Sequence, residues 1–396
     1  MSKVFVLSAV RTPIGRFGGA LKDHSPVDLA APVMSVALDQ AGISGSDLDL
    51  YVFGNVLRAG QGQLVPRQAA FKAGIPDSVD GVAVDMVCSS GMMSLMQASA
   101  FIRAGDADLV LAGGTESMSG AGFYLSSRAR WGYKYLAGRP EPVVDILERD
   151  GLSDPFSNDA MGELTEQLAA ERGATRAELD DIAAASNVRA AQAHESGAFE
   201  AELVPIEYCE RRTTQTLARD EGVRPETTVE SLGKLRPAFR PDGVLTAGNS
   251  SQISDGSAAL MLASEKAVEA HGLTPIAELT GSSWAAGQPY RFPEAPIPAI
   301  ARLCEKLGRE PQSFGLYENN EAFALNSLLI HRQLGVPYEK LNVNGGAIAL
   351  GHPIGCSGAR IVVTLIHALR NRSLEDGLAS ICHGTGGGTA LSVKAL

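Results

Sequence analysis

The sequence holds no apolar run near the roughly 20 residues that a membrane-spanning helix needs. It is poor in positive charge, with 34 Lys and Arg against 45 Asp and Glu, a formal net charge of −11. No run of five or more basic residues occurs, so a nucleic-acid partner is argued against. A local basic pocket can still hold a small anion. Cysteine is sparse and unpaired in pattern. Cys88, Cys209, Cys304, Cys356 and Cys382 are odd in number and widely spaced, without a Cys-x-x-Cys motif. That argues against a disulfide framework or a zinc site and for a reducing compartment. The first residues hold one Lys and a short apolar stretch, Val4 to Val10, ended by Arg11-Thr12-Pro13. This reads as a first strand, not a signal peptide. The last four residues carry no peroxisomal tripeptide. A cytoplasmic enzyme without a metal site is the expectation.

At 396 residues, with 45% hydrophobic and 20% charged residues, the chain is globular and long enough for two or three domains. Its first third alternates strand and helix. Strands are read at 3–9, 50–55, 82–87 and 107–112, with helices at 26–42 and 89–104. The second helix is apolar on most sides, which implies a parallel sheet covered on both faces. From about 119 to 248 the pattern turns polar and irregular, with helices at 161–172 and 175–195. Thr175 and Glu178 open the latter as a capping box. This stretch reads as an inserted loop or lid domain. The α/β pattern then returns, with strands at 255–264, 274–283 and 378–382 and helices at 298–307, 325–334 and 359–370. The last third repeats the order of the first: strand, Gly-rich turn, apolar helix, strand. The expected domains are therefore an N-terminal half of 1–118 and 249–272, a loop domain of 119–248, and a C-terminal half of 273–396.

Four segments combine reactive side chains with glycine. Cys88 is expected at the end of a buried strand, just ahead of a helix, where free N–H groups and the helix dipole lower a thiol pKa. Small neighbours, Ser89, Ser90 and Gly91, leave room for a substrate. It reads either as a nucleophile or as a packed core thiol. The segment Asn344–Gly358 places one His, His352, among five glycines. His352 suits a base for a thiol, or a structural role. The stretch matches neither dinucleotide nor P-loop pattern. Cys382 closes a strand and meets Gly384, where exposed N–H groups can build an oxyanion hole. Its alternative is a buried Cys beside a tight turn. Asn320-Glu321 opens a helix and reads either as a cap or as a group that orients a water or a carbonyl.

Taken together, these residues resemble the thiolase family. The resemblance runs from Ala9–Gly15 to the last strand. It is carried by the Cys88 segment, Ala112–Ser119, Thr246–Ser251, Asn320-Glu321-Ala322-Phe323, the His352 loop, and Cys382 with Gly384. It implies a thiolase-like α/β fold of two similar βα halves stacked as a five-layered αβαβα sandwich, with the loop domain over the site. It implies an acyl-CoA C-acyltransferase that either condenses two acetyl-CoA or cleaves a 3-ketoacyl-CoA, in fatty acid metabolism such as β-oxidation. Cys88 would be acylated, His352 would take its proton, and Cys382 would exchange the α-proton. Asn320, through a water, and His352 would hold one thioester oxygen; the N–H groups of Cys88 and Gly384 would hold the other. No bound cofactor is implied, because coenzyme A is a substrate. Its contacts would come from Ser251, Ala247, Gly248, Arg224, Phe239, Met161, Phe292, Ala322 and Phe323. A homo-oligomer, a dimer or a dimer of dimers, is implied too. Other readings are a condensing enzyme of the ketoacyl synthase or hydroxymethylglutaryl-CoA synthase type, or a non-catalytic acyl-CoA or lipid binder. The chain departs from the family pattern at His383, where an aliphatic residue is usual, and at Thr385, where Gly is. Cys356 replaces a common Ala, Ala160 precedes Met161-Gly162 in place of His, and Phe292 stands for Met.

Overall fold

The computed structural model describes residues 2–133 and 141–396, so 134–140 of the expected insertion and Met1 lie outside the described residues. The main elements in chain order are β1 (Val4–Arg11), α1 (Pro26–Ala41), β2 (Leu50–Gly54), β3 (Asp80–Val84), α2 (Ser90–Ala104) and β4 (Leu109–Ser117). Then come α3 (Met161–Glu171), α4 (Arg176–Glu195), β5 (Ser254–Ser264), β6 (Ala277–Ala286) and α5 (Pro296–Leu307). The last are β7 (Leu316–Asn319), α6 (Ala324–Leu334), α7 (Ile354–Asn371), β8 (Asp376–His383) and β9 (Gly387–Ala395). Local chemistry sets several ends. Ser25 and Asp28 form a capping box at α1, Gly42 stops it in the left-handed region, and Thr175 with Glu178 caps α4.

The strands run β7-β8-β9-β6-β1-β5-β4-β2-β3. The order hides a repeat. In the first half β3, β2, β4, β5 and β1 pair in the sequence parallel, parallel, antiparallel, antiparallel. In the second half a parallel bridge from Leu341 to Tyr317 replaces the outermost strand, and β7, β8, β9 and β6 then follow the same sequence of pairings. A two-residue contact, Phe5–Val6 against Ala277–Glu278, joins the two sheets. The buried helices α2 and α7 lie between the sheets, with α1 outside one and α5 outside the other. This is the αβαβα layering.

The middle layer is tight because both helices carry glycine at the contact. A Cβ on Gly358 would lie 2.3 Å from the Met92 nitrogen, and one on Gly91 would lie 2.7 Å from the Ala359 nitrogen. Helix α7 is buried from Ile354 to Leu369. Each fully buried Leu, Ile or Val contributes about 1.5–3 kcal/mol. The residues just ahead of this helix are thereby anchored at the centre of the molecule. Among the described residues no helix is long and apolar enough to cross a membrane, and no cluster of three or more His, Cys, Asp or Glu could hold a metal ion.

Candidate active site

Two sequence expectations about Cys88 need correction. The strand stops at Val84, not Val87, and Cys88 sits in a tight turn between β3 and α2. Val87 has a φ of 48°, a strained position for a β-branched residue. Ser90 holds the turn: its hydroxyl donates to the Val87 carbonyl at 2.5 Å and accepts from the Met86 N–H at 2.8 Å. A straight strand would point Cys88 into the sheet, whereas the turn frees it. Its thiol pKa is not lowered. Burial pushes it up to about 12, and the nearby Glu116 charge adds to the rise. The backbone groups of Gly384 and of Cys88 itself oppose the shift without cancelling it, and a Cβ on Gly384 would lie 3.8 Å from Val87, so the Gly384 turn packs beside the Cys88 turn. The helix terminus loses to desolvation here.

His352 occupies the equivalent place in the second half. Helix α7 begins at Ile354, earlier than the 359 read from the sequence, so His352 stands two residues ahead of α7 as Cys88 stands two ahead of α2. Burial pushes its imidazole pKa down to about 3, so the ring is neutral. Its Nδ1 lies 2.6 Å from the Ser357 hydroxyl, which donates its one hydrogen to the Pro353 carbonyl at 2.9 Å. The hydroxyl must therefore accept from Nδ1–H, which leaves Nε2 with the free lone pair. The Asn320 amide lies 3.5 Å from Nε2. Asn320 is fully buried, and its Oδ1 has no partner among the described residues. A buried acceptor without a protein partner suits a group that faces substrate or water.

Cys382 is buried near the end of β8. Burial and then the neighbouring Cys88 charge raise its thiol pKa, while the Asn326 amide donates to the sulfur at 3.4 Å and opposes the rise. The hydroxyl of Ser89, next to Cys88, reaches the Ile381 carbonyl at 3.5 Å. Cys88 and Cys382 are thus neighbours contributed by the two halves, and Asn320 lies beside His352.

Sequence reading missed four supports, Ser357, Asn326, Glu116 and Asn55. Ser357 sets the His352 tautomer. Asn326 holds Cys382. Glu116, at the end of β4, accepts N–H bonds from Val56, Leu57 and Gly355 at 3.1, 3.1 and 2.9 Å, and one from the Asn55 amide at 3.0 Å. Only the Ser357 spacing, five residues after His352, was a usable sequence signal.

A cavity of about 630 Å³ runs from His352 to the surface. Met161, Arg224, Phe239, Ala247, Ser251, Ala322 and Phe323 line it, as expected contacts, and Arg16 joins Arg224 as a second guanidinium. Gly248 does not line it; it borders a small crevice shared with Arg224 and Ala247. Phe292 is behind the wall, with its ring 6.2 Å from that of Phe323. A second cavity, about 450 Å³, meets the first at Ser153 and Met161 and reaches Val87, Gly384 and Thr385. The segment that carries Arg224 is tied to β1 by buried charge. Arg11 donates to Asp220 at 2.7 and 3.0 Å and to Glu202 at 2.6 Å.

Known proteins resemble this chain along its whole length. Residues 4–266 match the family model described as thiolase, N-terminal domain, and residues 273–395 match thiolase, C-terminal domain. An acetyl-CoA acetyltransferase of Synechocystis is 62% identical, with 100% of both chains covered, and one of Escherichia coli K12 is 43% identical, also with 100% of both covered. A solved acetyl-CoA acetyltransferase of Bacillus anthracis superposes with a TM-score of 0.96 at 42% identity, over 100% of this chain and 99% of that one. Human mitochondrial 3-ketoacyl-CoA thiolase gives the same TM-score of 0.96 at 37% identity and the same coverage, 100% and 99%. The chain belongs to the thiolase family and is an acyltransferase that works on coenzyme A thioesters.

Proposed function

We propose that the chain carries out reversible acyl transfer through an acyl-Cys88 intermediate, on short acyl chains in particular. The observation that supports this reading most is the packing of the Cys88 turn against the strand and turn that carry Cys382: Ser89 reaches the Ile381 carbonyl at 3.5 Å, and Gly384 packs beside Val87. In the cleavage direction, Cys88 attacks the keto carbon of a 3-ketoacyl-CoA while its proton passes to Nε2 of His352. The Cys88 and Gly384 N–H groups take the charge that develops on that oxygen. The carbon–carbon bond breaks, and the enolate of acetyl-CoA is held by Asn320 and His352. That enolate takes the proton of Cys382 and leaves as acetyl-CoA. His352 returns a proton to the Cys382 thiolate. A molecule of CoA then attacks acyl-Cys88 and gives its thiol proton to His352, which passes it back to Cys88. Condensation is the reverse. The resting protonation suits cleavage, since a neutral Cys382 is an acid already in place.

Arg16 and Arg224, both lining the cavity, support a phosphate-bearing ligand in an otherwise acidic protein. Ser251, Ala247, Phe239, Met161, Ala322 and Phe323 are the proposed pantetheine contacts. Two acetyl-CoA acetyltransferase relatives support a short acyl chain. Five free cysteines support a reducing compartment, which we take as the cytoplasm. The exposed Phe123, Tyr124, Leu125 and Trp131 support a homo-oligomer, a dimer or a dimer of dimers.

The test is thiolysis across 3-ketoacyl-CoAs of increasing length, with intact-mass detection of the acyl adduct. Acetoacetyl-CoA is expected to turn over fastest, with the adduct on Cys88. A preference for carrier-protein thioesters would favour a ketoacyl synthase type instead, and binding without turnover a non-catalytic binder.

A further inference from the structure

His383 is the side chain at the site that the reaction scheme leaves without a task. It ends β8, and β9 begins at Gly387, its cross-strand partner. Between them, Gly384-Thr385-Gly386 forms a three-residue turn. Thr385 is β-branched, exposed and left-handed, with a φ of 69°. Such a residue holds that conformation only where its surroundings impose it. The His383 ring is buried against the turn. A Cβ on residue 387 would fall 2.0 Å from Nε2, so the glycine there makes room for the ring. The Nδ1 atom lies 2.6 Å from the Gly384 carbonyl oxygen. A carbonyl only accepts, so Nδ1 carries the hydrogen. Burial lowers the pKa of the ring and keeps it neutral. The Nε2 atom has no partner among the described residues, so the bond to Gly384 is the one polar contact that fixes the ring.

We propose that His383 is a positioning residue: its Nδ1–H bond to the Gly384 carbonyl holds the strained turn so that the Gly384 N–H stays aimed at the Cys88 sulfur. The inference rests on the proposed use of that N–H in acyl transfer. A loosened turn moves one oxyanion donor and leaves the coenzyme cavity untouched, because neither His383 nor Gly384 lines it.

The experiment compares His383→Asn with His383→Gln in steady-state thiolysis of acetoacetyl-CoA. An Asn amide places its donor where Nδ1 is; a Gln amide places it one bond further on. We expect His383→Gln to lower kcat about tenfold, with KM for CoA within about twofold, and His383→Asn to stay within about threefold of wild type. Wild-type kcat in the Gln variant, or equal losses in both variants, overturns the role. Should the Gln chain not fold, a tenfold loss in the Asn variant overturns it alone. Acylation of wild-type Cys88 by acetyl-CoA, read by intact mass, separates the two readings. Its absence removes the reading of the site and the inference with it. Its presence alongside an unaffected Gln variant removes only the inference.

Discussion

The two halves of the molecule share one topology and divide the chemistry unequally. Three pairs of positions correspond. Asn55 follows β2 as Asn320 follows β7. Cys88 precedes α2 as His352 precedes α7. Glu116 ends β4 where Cys382 ends β8. In the first half, two of the three are spent on support: the Asn55 amide donates to Glu116, and Glu116 ties the loop after β2 to the first turn of α7. In the second half all three face the reaction in the proposed assignment. A duplicated frame supplies six places at the ends of strands and helices, and the residue type at each place decides whether it does chemistry or holds the loops that do.

The comparison can be broken at four points. The largest effect is expected at Cys88. Cys88→Ala should lower turnover by about 10⁴-fold or more and abolish the acyl adduct in intact mass spectra. Full activity in that variant would end the assignment. Next is Cys382. Cys382→Ala should lower thiolysis by about 10³-fold while acetyl-CoA still acylates Cys88. Loss of both steps together would show that the two thiols do not divide the work.

A smaller effect is expected in the support. Glu116→Gln turns an NH₂ group toward N–H donors, at a cost of about 2 kcal/mol in unfolding free energy, measured in urea. Burial raises the folded pKa of Glu116 to about 7. The unfolded carboxyl ionises first as pH rises, so this group's stability is full below about 4.5 and is lost as pH passes through 7. The gap between wild type and Glu116→Gln should therefore be widest below about pH 4.5 and narrow as pH rises through 7. The mildest test is iodoacetamide labelling of Cys88 in the free enzyme. With the thiol pKa raised to about 12, the rate should climb about tenfold per pH unit from 6 to 9. A plateau below pH 7 would mean a resting thiolate.

Much of the site is legible in the chain because it sits in short glycine-rich segments. Gly91, Gly355 and Gly358 stand where backbones touch, and Gly384 where the second-half turn packs beside Val87, so they mark the loops in the sequence. Asn55, Glu116 and Asn326 are ordinary polar residues in ordinary strands and helix starts. Nothing local distinguishes them, since their partners lie 61, 60 and 56 residues away. The ends of elements were misread for a similar reason. The sequence pattern continues the strand to Val87, but Ser90 reaches back to fold Asp85–Val87 into a turn.

Alternation of apolar strands and helices, with glycine at each crossing, determined by itself a doubled α/β frame and the loops that carry thiol and imidazole. Protonation was beyond it. A cysteine before a helix is expected to ionise easily, and a histidine in a loop to titrate near neutrality. Packing between two sheets reverses both, because withdrawing a group from water penalises its charged form more than one helix end can repay. Only the tertiary structure decided that the site rests as two neutral thiols and a neutral ring.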